Sequence, residues 1–242
     1  MPRPREKMEA RISSWYKGLQ DYKKTERREK SGPFVTISRE SGAYGTTIAD
    51  MVCEYLRKHD RRREAPWAVV DKELIQKVIE EHQFPVIFEK YLVESRASLI
   101  EDTLAELFGL HPPQEILVRR ISETILHLAT LGHVIFVGRG ANIITRKLPN
   151  GRHVRLVGSF EKRVAHMKEY LNLTQEQAQE YVVKEDHDRQ AYIKRYFQKE
   201  IGDVSLYDLI INTDTVSLQD AVMVIGDMVL RIEMKTRRLI QK

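Results

Sequence analysis

The chain has 242 residues, 42% hydrophobic and 31% charged, with 40 Lys/Arg against 35 Asp/Glu. That balance is the composition of a soluble globular chain and excludes a disordered polymer, a collagen-like repeat and a membrane bundle. A chain of this length buries roughly 70% of its unfolded surface without a disulfide or metal staple. The single cysteine, Cys53, has no partner for an intrachain disulfide, and the eight histidines show no metal-ligand spacing. With no export-type apolar region and no run of about 18 apolar residues, a reducing cytoplasm is the expected compartment.

Residues 1–30 carry ten Lys/Arg against five Asp/Glu, while the remainder is balanced. The basic excess therefore belongs to an arm, residues 1–31, ahead of a domain over 32–242. Ile12, Trp15, Tyr16, Leu19 and Tyr22 recur at helical spacing along it. Such a helix docks on the body or on a second subunit; a nucleic-acid or membrane-surface arm is the alternative. Ser31-Gly32-Pro33 breaks the arm, and Phe34-Val35-Thr36-Ile37 reads as a buried strand. Ile48, Ala49, Val52, Cys53 and Leu56 share one face of a following helix, which ends in the basic run from Arg57 to Arg63. Trp67-Ala68-Val69-Val70 is a second strand, ending at Asp71.

Residues 72–131 read as two or three helices without a strand, interrupted at Phe84-Pro85 and His111-Pro112-Pro113 and stopped at Gly132. Further strands follow at His133-Val134-Ile135-Phe136-Val137, at His153-Val154-Arg155-Leu156-Val157 and at Asp208-Leu209-Ile210-Ile211. Thr174 with Gln177 forms a capping box, and Ser217 with Asp220 gives a similar helix start. Five short strands, mostly continuous in apolar content and separated by helices, predict an α/β fold with a parallel sheet covered on both faces.

The segment Thr36-Ile37-Ser38-Arg39-Glu40-Ser41-Gly42-Ala43-Tyr44-Gly45-Thr46-Thr47 joins the first strand to the first helix, where backbone N–H groups and the helix dipole favour a bound anion. Registered on Thr46 as the metal-facing hydroxyl, the pattern G-x-x-x-x-G-K-[ST] finds Gly45 in the lysine slot, Tyr44 in the second glycine slot and Arg39 in the first. The lysine places fixed positive charge on the β- and γ-phosphates, so its absence has to be made good elsewhere. Arg39 is the nearest basic residue. A tight turn is the alternative reading of the two glycines.

Five segments in order then resemble a known family: Ile37-Ser38-Arg39 with Gly42 and Gly45; Asp71-Lys72-Glu73-Leu74-Ile75; Val137-Gly138-Arg139-Gly140-Ala141-Asn142; Asp186-His187-Asp188-Arg189-Gln190-Ala191-Tyr192; and Tyr207-Asp208-Leu209-Ile210-Ile211-Asn212-Thr213. Their order and spacing resemble the cytidylate-kinase-like family, a divergent branch of the P-loop nucleoside monophosphate kinases. The resemblance implies a three-layer P-loop kinase fold with a five-stranded parallel sheet, a helical acceptor-binding insertion over 72–131 and a short lid over 184–203. It also implies magnesium-dependent transfer from ATP to a nucleoside monophosphate.

Carried over by the same resemblance, Gly42, Ala43, Tyr44, Gly45, Thr46 and Thr47 hold the donor phosphates, Thr46 reaches the metal, and Thr213 lies near the donor base. Arg139 corresponds to the acceptor-phosphate arginine of a Gly-Arg-Asp motif, whose aspartate is Gly140 here. Arg189 corresponds to a lid arginine and Asp186 to its aspartate. The tyrosine–arginine pair of orthodox enzymes has no match after the second strand.

From the residues themselves, phosphoryl transfer needs positive charge positioned around the migrating group, for which Arg39, Arg139 and Arg189 are the candidates, with a structural cap or ion pair as the alternative for Arg139. The stretch around Arg189, with interleaved Tyr192, Lys194, Arg195, Tyr196 and Phe197, reads as a lid, as a nucleic-acid surface or as an ordinary helix with its aromatics packed inward. Asp71 orients a metal-bound water or substrate hydroxyl, or caps the next helix. Arg96, in Glu94-Ser95-Arg96, touches the acceptor or makes a surface ion pair. The leading function is ATP-dependent phosphorylation of a cytidylate-like acceptor. A kinase for another metabolite, or a non-catalytic nucleotide or polyanion binder, stands as the alternative.

Overall fold

A computed structural model describes residues 32–60, 66–71, 75 and 116–240. The basic arm, most of the expected insertion and Arg96 lie outside the described residues. In chain order the elements are β1 (Phe34–Arg39), α1 (Gly45–His59), β2 (Ala68–Val70), α2 (Ile116–Leu131), β3 (Val134–Val137), α3 (Ala141–Ile144), β4 (Gly151–Val157), α4 (Phe160–Leu171), α5 (Gln175–Phe197), β5 (Leu209–Asn212) and α6 (Leu218–Ile240), with a 3-10 turn at Val204–Leu206 before β5.

The strands form one sheet in the order β2-β3-β1-β4-β5, every pair parallel. β1 is central, with Val35 beside Ile135 of β3 and Arg152 of β4. The chain leaves β1 toward one edge for β2 and β3, then returns past it to β4 and β5. A crevice therefore opens beyond the C-terminal end of β1, where ligands of open parallel sheets collect.

Burial follows the two faces of the strands. Val35 and Ile37 of β1, Ile135 and Val137 of β3, and Val154 and Leu156 of β4 pack against Ile48, Val52 and Leu56 of α1 and Ala221, Ile225 and Val229 of α6. On the other face Phe34, Val134 and Phe136 meet Ile121, Ile125 and Ala129 of α2, Ile144 of α3, and Ile193 and Phe197 of α5. Each large aliphatic or aromatic side chain buried this way contributes roughly 1.5–3 kcal/mol. Cys53 is one of these core residues, its thiol donating to the Trp67 carbonyl at 3.2 Å.

The expected strands form with edges moved by one or two residues, β1 running on to Arg39. Continuous apolar content does not hold for two of them. Thr36 and Ser38 on β1 lie beside His153 and Arg155 on β4, all four buried on one face of the sheet. Thr36 Oγ1 and His153 Nδ1 are 2.9 Å apart, and Arg155 donates to Ser38 Oγ at 3.3 Å. The strip of sheet leading up to the crevice is thus polar.

The helix punctuation matches the sequence signals. The Thr174 side chain accepts from the Gln177 amide and the Gln177 side chain accepts from the Thr174 amide. Ser217 accepts from the Asp220 amide, and Gly132, at φ 78°, follows the end of α2. Residues 184–197, expected as part of a short lid, are the C-terminal half of the 23-residue helix α5. The capping box starts this helix, its N-terminal half packs on α4 through Ala178 and Val182, and its C-terminal half joins the core through Ile193 and Phe197. Packing at both ends makes the segment one continuous rod.

Candidate active site

The loop after β1 turns through Glu40 to Tyr44 and enters α1 at Gly45. Gly42 sits at φ 84°, where a Cβ would run into the Arg163 backbone. Tyr44, in the second glycine slot, takes the left-handed conformation itself at φ 56° and gives α1 no side-chain cap. The first turn of α1 also lacks acidic residues, so no side-chain carboxylate there competes for its free amides or opposes the helix dipole. Thr46 and Thr47, both exposed, belong to the same turn.

Charged side chains brace the loop from below and behind. Arg163 of α4 donates to the Ser41 carbonyl at 2.9 Å and to the Gly158 carbonyl at 3.0 Å. His166, one turn further along, donates from Nδ1 to the Gly42 carbonyl at 2.8 Å, and its ring stacks on Tyr44 with centroids 3.8 Å apart. Asp186 of α5 accepts from the Ser41 amide at 2.7 Å and from Arg163 at 2.6 Å, and pairs with Arg189 at 3.1 Å. Glu40 lies 3.4 Å from Arg163 and 3.6 Å from Arg155, and Glu185 lies 2.8 Å from Arg189. Opposite charges thus alternate from the sheet through the loop to α5.

Beside the loop is a pocket of about 230 Å³, floored by residues 36–39 of β1 and by the Val137-to-Gly140 turn, and walled by α3, α5 and Tyr207. Arg39, Arg139 and Arg189 all line it. The Arg39 side chain crosses Gly45, where a Cβ would stand 2.6 Å from its Cγ, and its guanidinium rests against Gly138. Burial, reinforced by nearby Arg189 and Arg139, pulls the Arg39 pKa down to about 10, which leaves it protonated at neutral pH. Glu185 and Asp71 oppose that shift. Gly138, Arg139 and Gly140 all have positive φ, a strained conformation for the arginine. The Arg139 guanidinium lies over the Tyr192 ring, 5.5 Å from its centroid. Gly140 packs on Phe197, which a Cβ would meet at 2.6 Å, so no larger side chain fits there.

The structure brings Arg39, Arg139 and Arg189 together in one pocket and places Asp71 within electrostatic reach of Arg39. The Asp71 carbonyl accepts from the Ile75 amide, as at the first turn of a helix. Asp186 stands apart from the pocket lining and bonds to the loop. Thr213 sits on the far side of Gly158, its hydroxyl given to the Val157 carbonyl at 3.0 Å. Asp214 beside it accepts from the Ser159 amide at 2.9 Å; the hydrogen bonds from Ser159 hold its carboxyl below the usual range.

Sequence reasoning missed Glu40, Arg155, Arg163, His166 and Tyr207. The alternation of His153 and Arg155 with Val154 and Leu156 was the available signal for Arg155; Arg163 and His166 lie on a helix where nothing local marks them.

The sheet order, the loop at the end of its central strand and the uncapped helix that follows define a P-loop kinase-like α/β protein. Residues 34–215 match the cytidylate kinase-like family, and the chain belongs to that family. A solved structure of an uncharacterized protein from Eubacterium ventriosum shares the fold at TM-score 0.64 and 19% identity, over 82% of this chain and 98% of that one. Shikimate kinase from Bacteroides thetaiotaomicron aligns at TM-score 0.44 and 10% identity, over 81% of this chain and 98% of that one. Shikimate kinase from Acinetobacter baumannii aligns at 0.41 and 15%, over 84% and 95%. No curated protein sequence matches the chain.

Proposed function

We propose that the protein transfers the γ-phosphoryl group of ATP to a nucleoside monophosphate of cytidylate-like kind. The observation that carries this reading is the presence of Arg39, Arg139 and Arg189 in one pocket beside the loop at the end of β1. Three guanidinium groups drawn together, one with its pKa lowered by burial and further by the other two, call for an anionic ligand.

In this reading residues 42–47 and the first amides of α1 hold the donor phosphates. Arg139 holds the acceptor phosphate. Arg39 and Arg189 neutralise the charge that spreads over the migrating group. An acceptor phosphate oxygen forms the new bond to the γ-phosphorus as the bond to the β–γ bridging oxygen breaks, giving ADP and a nucleoside diphosphate. Thr46, exposed at the start of α1, is the residue whose hydroxyl would hold a magnesium ion there. Bound there, the ion would supply charge neutralisation of the β- and γ-phosphates.

The Arg39–Gly45 contact supports a specific replacement: the arginine lies over the glycine in the lysine slot and brings its charge from the preceding strand. In the same reading residues 72–131 complete the acceptor site, with Asp71 and Arg96 contributing. Residues 184–203 with Asp186 flank the phosphates as the C-terminal half of α5 and the turn after it, and Thr213 borders the donor base. Residues 1–31 dock on the body or on a second copy. No helix among the described residues is long and apolar enough to cross a membrane, and we assign the protein to the cytoplasm.

The test is ATP consumption with magnesium across CMP, UMP, AMP, GMP and small hydroxylated metabolites, with nucleotide binding followed by thermal shift. Acceptor-dependent ADP formation with a nucleoside monophosphate is expected. Turnover only with another metabolite, or a thermal shift with ATP and turnover with none, overturns the reading.

A further inference from the structure

A second pocket opens where β4 and β5 begin, at the end of the sheet opposite the loop after β1. Its volume is about 290 Å³, and Arg146, Arg152, His153, Ser205, Tyr207 and Asp208 are among the residues that line it. Arg146, just after α3, donates to the Ser205 carbonyl at 2.9 Å and so clips the 3-10 turn ahead of β5. Arg152, near the start of β4, donates to the Gly151 carbonyl at 2.7 Å. A guanidinium carries five N–H donors, so both arginines keep donors for another acceptor.

The two carboxylates nearby are engaged with the main chain. Asp208 accepts from the His153 amide at 2.8 Å, and Asp203 accepts from the Ser205 amide at 2.9 Å. No salt bridge joins either of them to Arg146 or Arg152. His153 is 7% exposed, with its Nδ1 2.9 Å from Thr36 Oγ1. Burial lowers the pKa of this ring most; Asp208 opposes that shift, and Arg146 and Arg152 add to it. The three charged side chains thus act on one buried imidazole at the pocket wall.

This set of groups restricts the ligand. Guanidinium groups take phosphate oxygens in parallel hydrogen bonds. Asp208 gives one oxygen to the His153 amide, and its other oxygen suits a hydroxyl donor while disfavouring a bare anion. A space of about 290 Å³ is at the small end for a ligand site, which limits the remainder to a short hydroxylated chain.

We propose that this pocket is a second ligand site, binding a small phosphomonoester with its phosphate on Arg146 and Arg152 and a neighbouring hydroxyl on Asp208. It shares only Tyr207 with the lining of the pocket beside the loop, and it stands independently of the phosphoryl-transfer reading.

The experiment titrates the full chain at neutral pH with glycerol 3-phosphate, inorganic phosphate and glycerol, following the His153 ring signals by NMR. Loss of those signals in His153→Gln assigns them, and melting temperatures verify folding of each variant. A saturable response to glycerol 3-phosphate with Kd below about 1 mM, about fivefold tighter than inorganic phosphate and absent with glycerol, is expected. Arg146→Gln, at an exposed position, and Arg152→Gln each weaken it about tenfold, and Arg152→Lys recovers part of the loss. Asp208→Asn narrows the preference for glycerol 3-phosphate over phosphate. Arg39→Ala, which alters the other pocket, leaves the His153 response within about twofold.

No saturable His153 response up to about 10 mM overturns the proposal. So does a response that folded Arg146→Gln and Arg152→Gln retain in full, or one that Arg39→Ala abolishes. Equal affinity for glycerol 3-phosphate and inorganic phosphate overturns the hydroxyl contact at Asp208 and with it the ligand class.

Discussion

On the α4 side of Arg39 the loop Glu40 to Tyr44 has its polar atoms engaged: Ser41 by Asp186 and Arg163, Gly42 by His166, Glu40 by two arginines. On the α3 side, Arg39 and Arg139 have no salt-bridge partner among the described residues, and the Arg139 guanidinium rests over the Tyr192 ring. One region is finished by the protein; the other is finished by what it binds. The difference explains how a loop without the usual lysine holds its shape. Its geometry depends on helix side chains, and the positive charge beside it is brought from β1, the turn after β3 and α5.

The largest expected effect breaks the open side. Arg39→Ala lowers kcat about 10³-fold, the range in which a transition-state arginine acts, while the melting temperature stays near that of the wild type. Gly45→Lys in the Arg39→Ala background, where the space over position 45 has been vacated, restores at least about tenfold of the lost rate. Steady-state assays of both variants with CMP check the exchange.

The polar floor below the pocket sharpens the comparison through pH. Burial pushes the His153 pKa down from 6.5 to about 4, so the ring is neutral in the folded protein across a range where the unfolded chain takes up a proton. Stability is therefore fully present above about pH 6.5 and falls as the pH drops toward 4, by up to about 3 kcal/mol. Urea unfolding at several pH values follows the loss, and His153→Gln flattens it.

Gly140→Ala tests the packing that closes the floor of the open side. A positive φ and the contact with Phe197 together cost about 2 kcal/mol, measured by urea unfolding. The smallest effect belongs to the finished side. His166→Phe retains an aromatic ring beside Tyr44 but removes the hydrogen bond to the Gly42 carbonyl, lowering stability by about 1 kcal/mol. A rise in ATP KM with unchanged acceptor KM accompanies it if the bond shapes the loop.

Much of the fold was legible in the sequence because strand periodicity and helix punctuation are local. The capping box at Thr174, the stop at Gly132 and the five apolar runs need only neighbours in the chain. The three arginines that line the pocket were singled out through chemistry and motif order. What escaped were groups defined by contacts across the fold: Arg163 meets Ser41 over 122 positions, and Glu40 meets Gly158 over 118. The polar face of β1 and β4 escaped for another reason. Val35, Ile37, Val154 and Leu156 suggested runs buried on both sides, and the alternate residues between them were read as part of the same apolar stretch.

The Asp186 carboxylate also governs how substitutions around it combine. It serves the Ser41 amide, Arg163 and Arg189 at once, three donors on the loop, α4 and α5. Losing one of them leaves the others facing a less constrained carboxylate, so the first substitution changes the value of the second. The free-energy changes of Arg163→Ala and Arg189→Ala will therefore fail to add, although the residues lie on different helices 26 positions apart in the chain.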